Sequence, residues 1–188
     1  LLEAFHCRWS TAYLRGDVAT ARDDARAGMK AYDIDRHRHL GPVFGGHDPG
    51  VCAHIVTGMT HVLSGDAEGL MPSLERALEL ANALGHPNSL GHALMNGSLG
   101  LQMTGDRAAT LEWSRRLGAL ADKYELAPLR TASIIFGAWA DSDGPDNAAA
   151  ANLIDVHIER AAAVGQLPRY YRGIAAEVLL AAGRPADG

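Results

Sequence analysis

The chain has 188 residues, a formal net charge of -5, 47% apolar and 21% charged residues, a composition that suits one core-forming domain or a short repeat array rather than a disordered chain. Seventeen Lys and Arg against 22 Asp and Glu leave no basic footprint for sequence-independent nucleic-acid binding. No apolar run approaches the roughly 20 residues that cross a bilayer, and Cys7 and Cys52 form neither a disulfide framework nor a closely spaced metal or redox pair, so a reducing cytoplasm is expected.

Aromatics make up 6% of the chain, yet there are 33 alanines and 21 glycines. Alanine favours helices that approach closely and glycine interrupts them, so many short, tightly packed helices are expected. The opening Leu1-Leu2-Glu3 has no initiator methionine, signal peptide or transit peptide, and the chain is expected to be a piece of a larger protein.

In chain order, the periodicity predicts helix pairs over 2–14 and 18–33, 51–64 and 67–85, 89–103 and 107–126, 129–141 and 147–165, then a final helix over 169–182. One turn recurs between pair members: Leu14-Arg15-Gly16-Asp17, Leu63-Ser64-Gly65-Asp66 and Met103-Thr104-Gly105-Asp106. Glycine there takes the left-handed conformation after the last turn, and aspartate caps the next helix. Asp143-Gly144-Pro145-Asp146 and Ala182-Gly183-Arg184-Pro185 are degenerate copies, and successive glycines are 49, 40, 39 and 39 residues apart. Seven residues before each glycine stand Trp9, Gly58, Ser98, Gly137 and Ala176, four of them small, as a close helix crossing requires. Second helices are expected to stop at Gly85-His86-Pro87, Leu126-Ala127-Pro128 and Gly165-Gln166-Leu167-Pro168. Pro72 sits badly inside a helix from 67, so that helix is expected to begin nearer Met71 or to kink. The surplus of the 49-residue step falls in a non-periodic connector, 36–50, of the kind that often carries function.

A Gly-Asp turn with a small residue seven positions earlier resembles the tetratricopeptide family. The connector, with Tyr32-Asp33, His37, His39-Leu40 and Phe44 to Cys52, is similar to a segment in the C-terminal helical region of certain bacterial proteins. These join a class III adenylate/guanylate cyclase domain, or a LuxR-type module, to an ATPase domain and tetratricopeptide-like repeats. Residues 15–32 and Leu80 to Ser89 resemble the neighbouring stretches, so the resemblance runs from about residue 2 to about 125. It implies an all-α, right-handed solenoid of antiparallel helix pairs, about four pairs plus a final helix. Residues 1–188 then form a single helical-repeat domain, with repeats at about 1–35, 51–86, 89–126, 129–166 and 169–188. The implied role is a scaffold and input region for an enzymatic or DNA-binding module elsewhere.

Catalytic machinery is not expected: Gly45-Gly46 lacks the Lys-Ser/Thr of a phosphate loop, and no nucleophile, base and orienter set stands out. His54 and His61 are two helical turns apart and His37 and His39 form an H-x-H, yet no Glu-x-x-His or Cys-x-x-Cys accompanies them. Interhelical packing is the expected use, with no metal or cofactor. Cys52 reads as a small buried hydrophobe rather than a nucleophile. Asp48-Pro49-Gly50 reads as a turn into a helix, with His47 and Asp48 as a candidate connector site.

In tetratricopeptide arrays the first helices line a concave groove. That register implies groove contacts at His6, Ser10, His92, Met95, Gln102, Thr131 and Tyr170, among apolar positions Ile55, Met59, Leu99 and Ile134. The expected partner is a protein or another domain of the parent chain, with no nucleic acid and no membrane. The alternative is a small-molecule effector bound in the groove.

Overall fold

The computed structural model describes residues 1–142, 147–163 and 169–184, and they are all-helical with no strand among them. The chain divides into two compact units, Leu1–Thr104 and Gly105–Gly188.

The first unit contains α1 (Leu2–Leu14), α2 (Val18–Ala31), α3 (Ile34–His37), a π-helical turn (Gly41–Gly45), α4 (Pro49–Leu63), a 3-10 turn (Ala67–Gly69), α5 (Leu70–Leu84) and α6 (Pro87–Thr104). Its centre is α4, which packs against α1, α2, α5 and α6 and buries ten of its residues. Leu2, His6, Trp9 and Ala12 give α1 one buried face, matched on α2 by Ala21, Asp24, Ala25 and Gly28. The fit is tight: a Cβ on Gly28 would stand 2.3 Å from Cζ3 of Trp9. The first pair thus carries its bulk on the first helix and its gap on the second. In the next pair the gap is on the first helix, where a Cβ on Gly58 would lie 3.0 Å from the Ser73 Cβ.

The recurrent turn has one geometry. Gly16, Gly65, Gly105 and Gly183 have φ of +76, +81, +78 and +69, where only glycine avoids a Cβ clash. The following amide closes the helix in three copies, Asp17 N–H on the Ala12 carbonyl, Asp66 N–H on the His61 carbonyl and Arg184 N–H on the Leu179 carbonyl, all at 2.9 Å. The aspartates then accept from Thr20 N, Gly69 N and Ala109 N. Pro72 costs nothing because the 3-10 turn ends at Gly69 and α5 starts at Leu70. That leaves the proline in the first turn, where no intrahelical N–H bond is lost. The connector is structured by α3 and the π-helical turn.

The second unit contains α7 (Arg107–Lys123), α8 (Ala127–Asp141), α9 (Asn147–Ala163) and α10 (Arg169–Ala181). Here α8 packs against α7 and α9, and α10 against α9 and α8. Trp113, Leu117, Ile135, Phe136, Trp139, Ile154, Ile174 and Val178 supply its core. Gly137 faces Ser114 across the α7–α8 crossing, with its notional Cβ 3.4 Å from the hydroxyl. The Arg107 guanidinium lies 4.5 Å above the Trp139 ring, and Arg130 pairs with Asp122. The expected Gly144 turn and the Gly165 to Pro168 stop lie outside the described residues.

His157 is buried and its Nδ1 has no hydrogen-bond partner among the described residues. Burial, then the charges of Arg160 and Arg130, lower its pKa. A histidine whose folded pKa lies below its unfolded value supports the fold while neutral, and that support is lost as pH falls through the folded value. Melts are therefore expected to show a lower melting temperature at about pH 5 than at about pH 7, with a smaller drop in His157→Leu. An unchanged drop in that variant would assign the acid sensitivity elsewhere.

Candidate functional site

The first unit collects an unusual set of polar side chains where α1, the connector and the N-terminal ends of α4 and α6 meet. Asp48-Pro49-Gly50 builds its floor. The Asp48 carboxylate caps α4 by accepting from Val51 N at 3.0 Å and takes the Tyr32 hydroxyl at 3.1 Å. Its own amide donates to Ser89 Oγ at 2.8 Å, and that hydroxyl lies 2.8 Å from His86 Nδ1. Pro49 occupies the first helical position, where a missing N–H is harmless. Gly50 admits the Tyr32 ring, since a Cβ there would lie 2.8 Å from it. Asp48 is fully buried; burial raises its carboxyl pKa against the opposing hydrogen bonds from Val51 and Tyr32. Burial and then the Asp48 charge raise the Tyr32 pKa.

Above this floor three histidines touch. His47 Nε2 lies 3.3 Å from His6 Nε2, with the two ring planes 74° apart. His92 stacks on His47 with centroids 3.8 Å apart and planes 10° apart. The far nitrogen of His6 lies 3.0 Å from Glu3 Oε2, and His92 Nδ1 faces Asn96 at 3.3 Å. Burial first, then the neighbouring imidazoles, push the pKa of His47 down to about 4 and that of His92 well below its ordinary value. Burial thus favours the neutral form of His47 and of His92.

Cys52 completes the set. Its thiol is buried, accepts the Trp9 Nε1–H at 3.4 Å, and has its pKa pushed up to about 11 by burial against hydrogen bonds from Trp9 and Ser10. His6, His47 and Cys52 hold their potential ligand atoms within 4.8 Å of one another.

The structure sorts the sequence candidates plainly. His47, His6 and His92 are brought together, with Asp48 beside them, and Ser10 lies one helical step away on the Cys52 side. Met95 is half-buried and Gln102 buried on α6; Thr131 is half-buried on α8 and Tyr170 exposed on α10. Ile55 and Met59 are core residues of the first unit, so they do not line an open groove. Two of the histidines that spacing offered are held by local partners. His61 binds its own turn through Asp66 at 2.7 Å, and His37 Nδ1 lies 3.0 Å from the Asp33 backbone N, in the tight turn that opens α3. Glu3, Trp9, Ser89 and the part played by Cys52 escaped the sequence reading. The one available signal was the surplus length of the connector, which lets His47 fold back onto α1.

A second feature is a cleft of about 410 Å³ lined by Cys7, Arg8, Thr11, Arg15, Asp17 and Asp24, among others. Arg8 pairs with Asp24 at 3.1 Å within it.

No helix among the described residues is long and apolar enough to cross a membrane. No family model matches the chain, and no solved structure matches it. The chain is similar to an uncharacterized protein of Rhizobium meliloti (strain 1021), 26% identical over 141 residues. The aligned stretch is 75% of this chain and 14% of that protein, so the chain spans a small part of the relative's length.

Proposed function

We propose that this chain is a non-catalytic, protein-binding regulatory region built as a tetratricopeptide-like solenoid of antiparallel helix pairs. On this reading it sits in a bacterial cyclase- or LuxR-type ATPase fusion and passes partner binding to that protein's working module. The carrying observation is the recurrence of one helix-ending turn with left-handed glycine at 16, 65, 105 and 183, the first three leading into a further helix. Repeat arrays bury their faces against neighbouring repeats, and α4 does so against helices on both sides in sequence. The resemblance of residues 2–125 supplies the parent class. Val43 and Phe44, exposed on the connector, and Tyr170 on α10 offer apolar and aromatic contact area for a protein partner or another domain of the parent.

The 410 Å³ cleft of α1 and α2 favours a second reading, a small-molecule-sensing solenoid, because its volume falls in the range of ligand sites. Thermal melting separates the two. A ligand bound by the folded state raises the melting temperature. Under the first reading peptides raise it and sugars and nucleotides leave it unchanged; a nucleotide or sugar that raises it moves the reading to a sensor. Sustained ATP hydrolysis or cyclase turnover by the purified chain would sink both.

A further inference from the structure

The reading above makes no use of the chemistry gathered by His6, His47 and Cys52. Two nitrogens bonded to one tetrahedral Zn2+ at about 2.05 Å stand about 3.3 Å apart. The His6 and His47 Nε2 atoms are already 3.3 Å apart. A nitrogen and a sulfur on the same ion stand about 3.6 Å apart, and the Cys52 sulfur lies within 4.8 Å of a ring nitrogen of each histidine. A modest side-chain rotation at half-buried His47 closes the difference.

The outer sides of these groups are arranged as metal ligands require. The Glu3 carboxylate lies 3.0 Å from His6 Nδ1, on the outer side of the ring, while Nε2 is turned toward His47. On the other side of its ring, His47 Cε1 lies 3.7 Å and Nδ1 4.0 Å from where a Gly45 Cβ would stand. Its Nε2 therefore also points inward, and the stacked His92 ring fixes its plane. Trp9 N–H donates to the sulfur. Imidazole N–H bonds to carboxylate or carbonyl are the usual outer support of metal-bound histidine. The two Nε2 atoms face each other at 3.3 Å, the separation that two ligands of one Zn2+ require.

We propose that His6 Nε2, His47 Nε2 and Cys52 Sγ bind one Zn2+, with water in the fourth position. The Cys52 thiol proton passes to solvent as the sulfur–metal bond forms. Two imidazoles and a thiolate suit zinc, whereas Mg2+ and Ca2+ take oxygen ligands. The ion ties α1 to the connector and to α4, so metal supply sets the stability of the first unit. This site is independent of the partner reading.

The test is a titration of the whole reduced chain, stripped with EDTA, with Zn2+ and with Co2+ as a coloured substitute. The expected result is one equivalent per chain, a thiolate-to-cobalt charge-transfer band, and a rise in melting temperature with Zn2+. His47→Gln is expected to keep the metal-free melting temperature close to the parent's and to weaken Zn2+ binding at least about tenfold. Cys52→Ser loses the charge-transfer band and the exposed-thiol variant Cys7→Ser keeps it. No Zn2+ bound at micromolar concentration, or an undiminished equivalent in both His47→Gln and Cys52→Ser, overturns the proposal.

Discussion

Replacing Trp9 by alanine is expected to cost about 3–5 kcal/mol, the range for truncating a fully buried aromatic. Trp9 has no exposed surface and fills the gap left by Gly28, while its indole N–H reaches the Cys52 sulfur across to α4. One side chain therefore holds three helices, and truncating it leaves a cavity and removes one hydrogen bond to the thiol together. The converse change, Gly28→Ala, pushes a methyl group into a rigid ring and is expected to cost about 1–3 kcal/mol. The two changes should couple. In the Trp9→Ala background the alanine at 28 meets empty space, so its cost should largely vanish. Urea unfolding followed by far-ultraviolet circular dichroism reads all three variants. Additive costs would mean that the Trp9 ring does not set the α1–α2 spacing.

Asp48→Ala is expected to cost about 2–4 kcal/mol, from a lost helix cap of about 0.5–2 kcal/mol and a Tyr32 hydroxyl left without its acceptor, about 1–3 kcal/mol. Asp48→Asn should cost under about 1 kcal/mol, because the amide oxygen still accepts from Val51 and the amide nitrogen can donate to the tyrosine oxygen. The buried carboxylate already has a raised pKa, so losing its charge is no penalty. Equal losses in both variants would show that charge, not the hydrogen-bonding pattern, holds the connector. Tyr32→Phe in the Asp48→Ala background separates the cap from the tyrosine contact.

Much of the helix layout was legible because its punctuation is chemical and local. A glycine that must be left-handed, followed by an aspartate that caps, marks the ends at 16, 65 and 105 whatever lies between them. The expected helices over 2–14, 107–126 and 129–141 appear as 2–14, 107–123 and 127–141. Pro72 looked awkward because periodicity does not register a 3-10 turn that delays a helix start. The second-helix end at 123 owes its stop to Glu125, which takes φ of 55 without being glycine, a choice that carries little local signal.

The candidate site was legible only in part, since its members converge through the path of the connector. His6 and His47 are 41 positions apart and meet because the π-helical turn and the Asp48 anchors return the chain to α1. Spacing within a single helix suggested His54 with His61, but His61 is committed to Asp66 in its own turn. Cys52 was rightly read as buried, yet burial said nothing of the two imidazoles beside it. Register alone places Ile55 and Met59 in an open groove. They are covered because α4 has neighbours on both sides, which a repeat-by-repeat reading does not reveal.

Under the proposed regulatory reading, the most direct measurement is made in a parent protein that carries these helices beside an output module. On that reading, excising residues 1–188 while leaving the proposed enzymatic or DNA-binding module intact changes that module's basal output or abolishes its response to a partner, with the module still folded. Output and response identical to those of the intact protein would contradict a regulatory role for these helices.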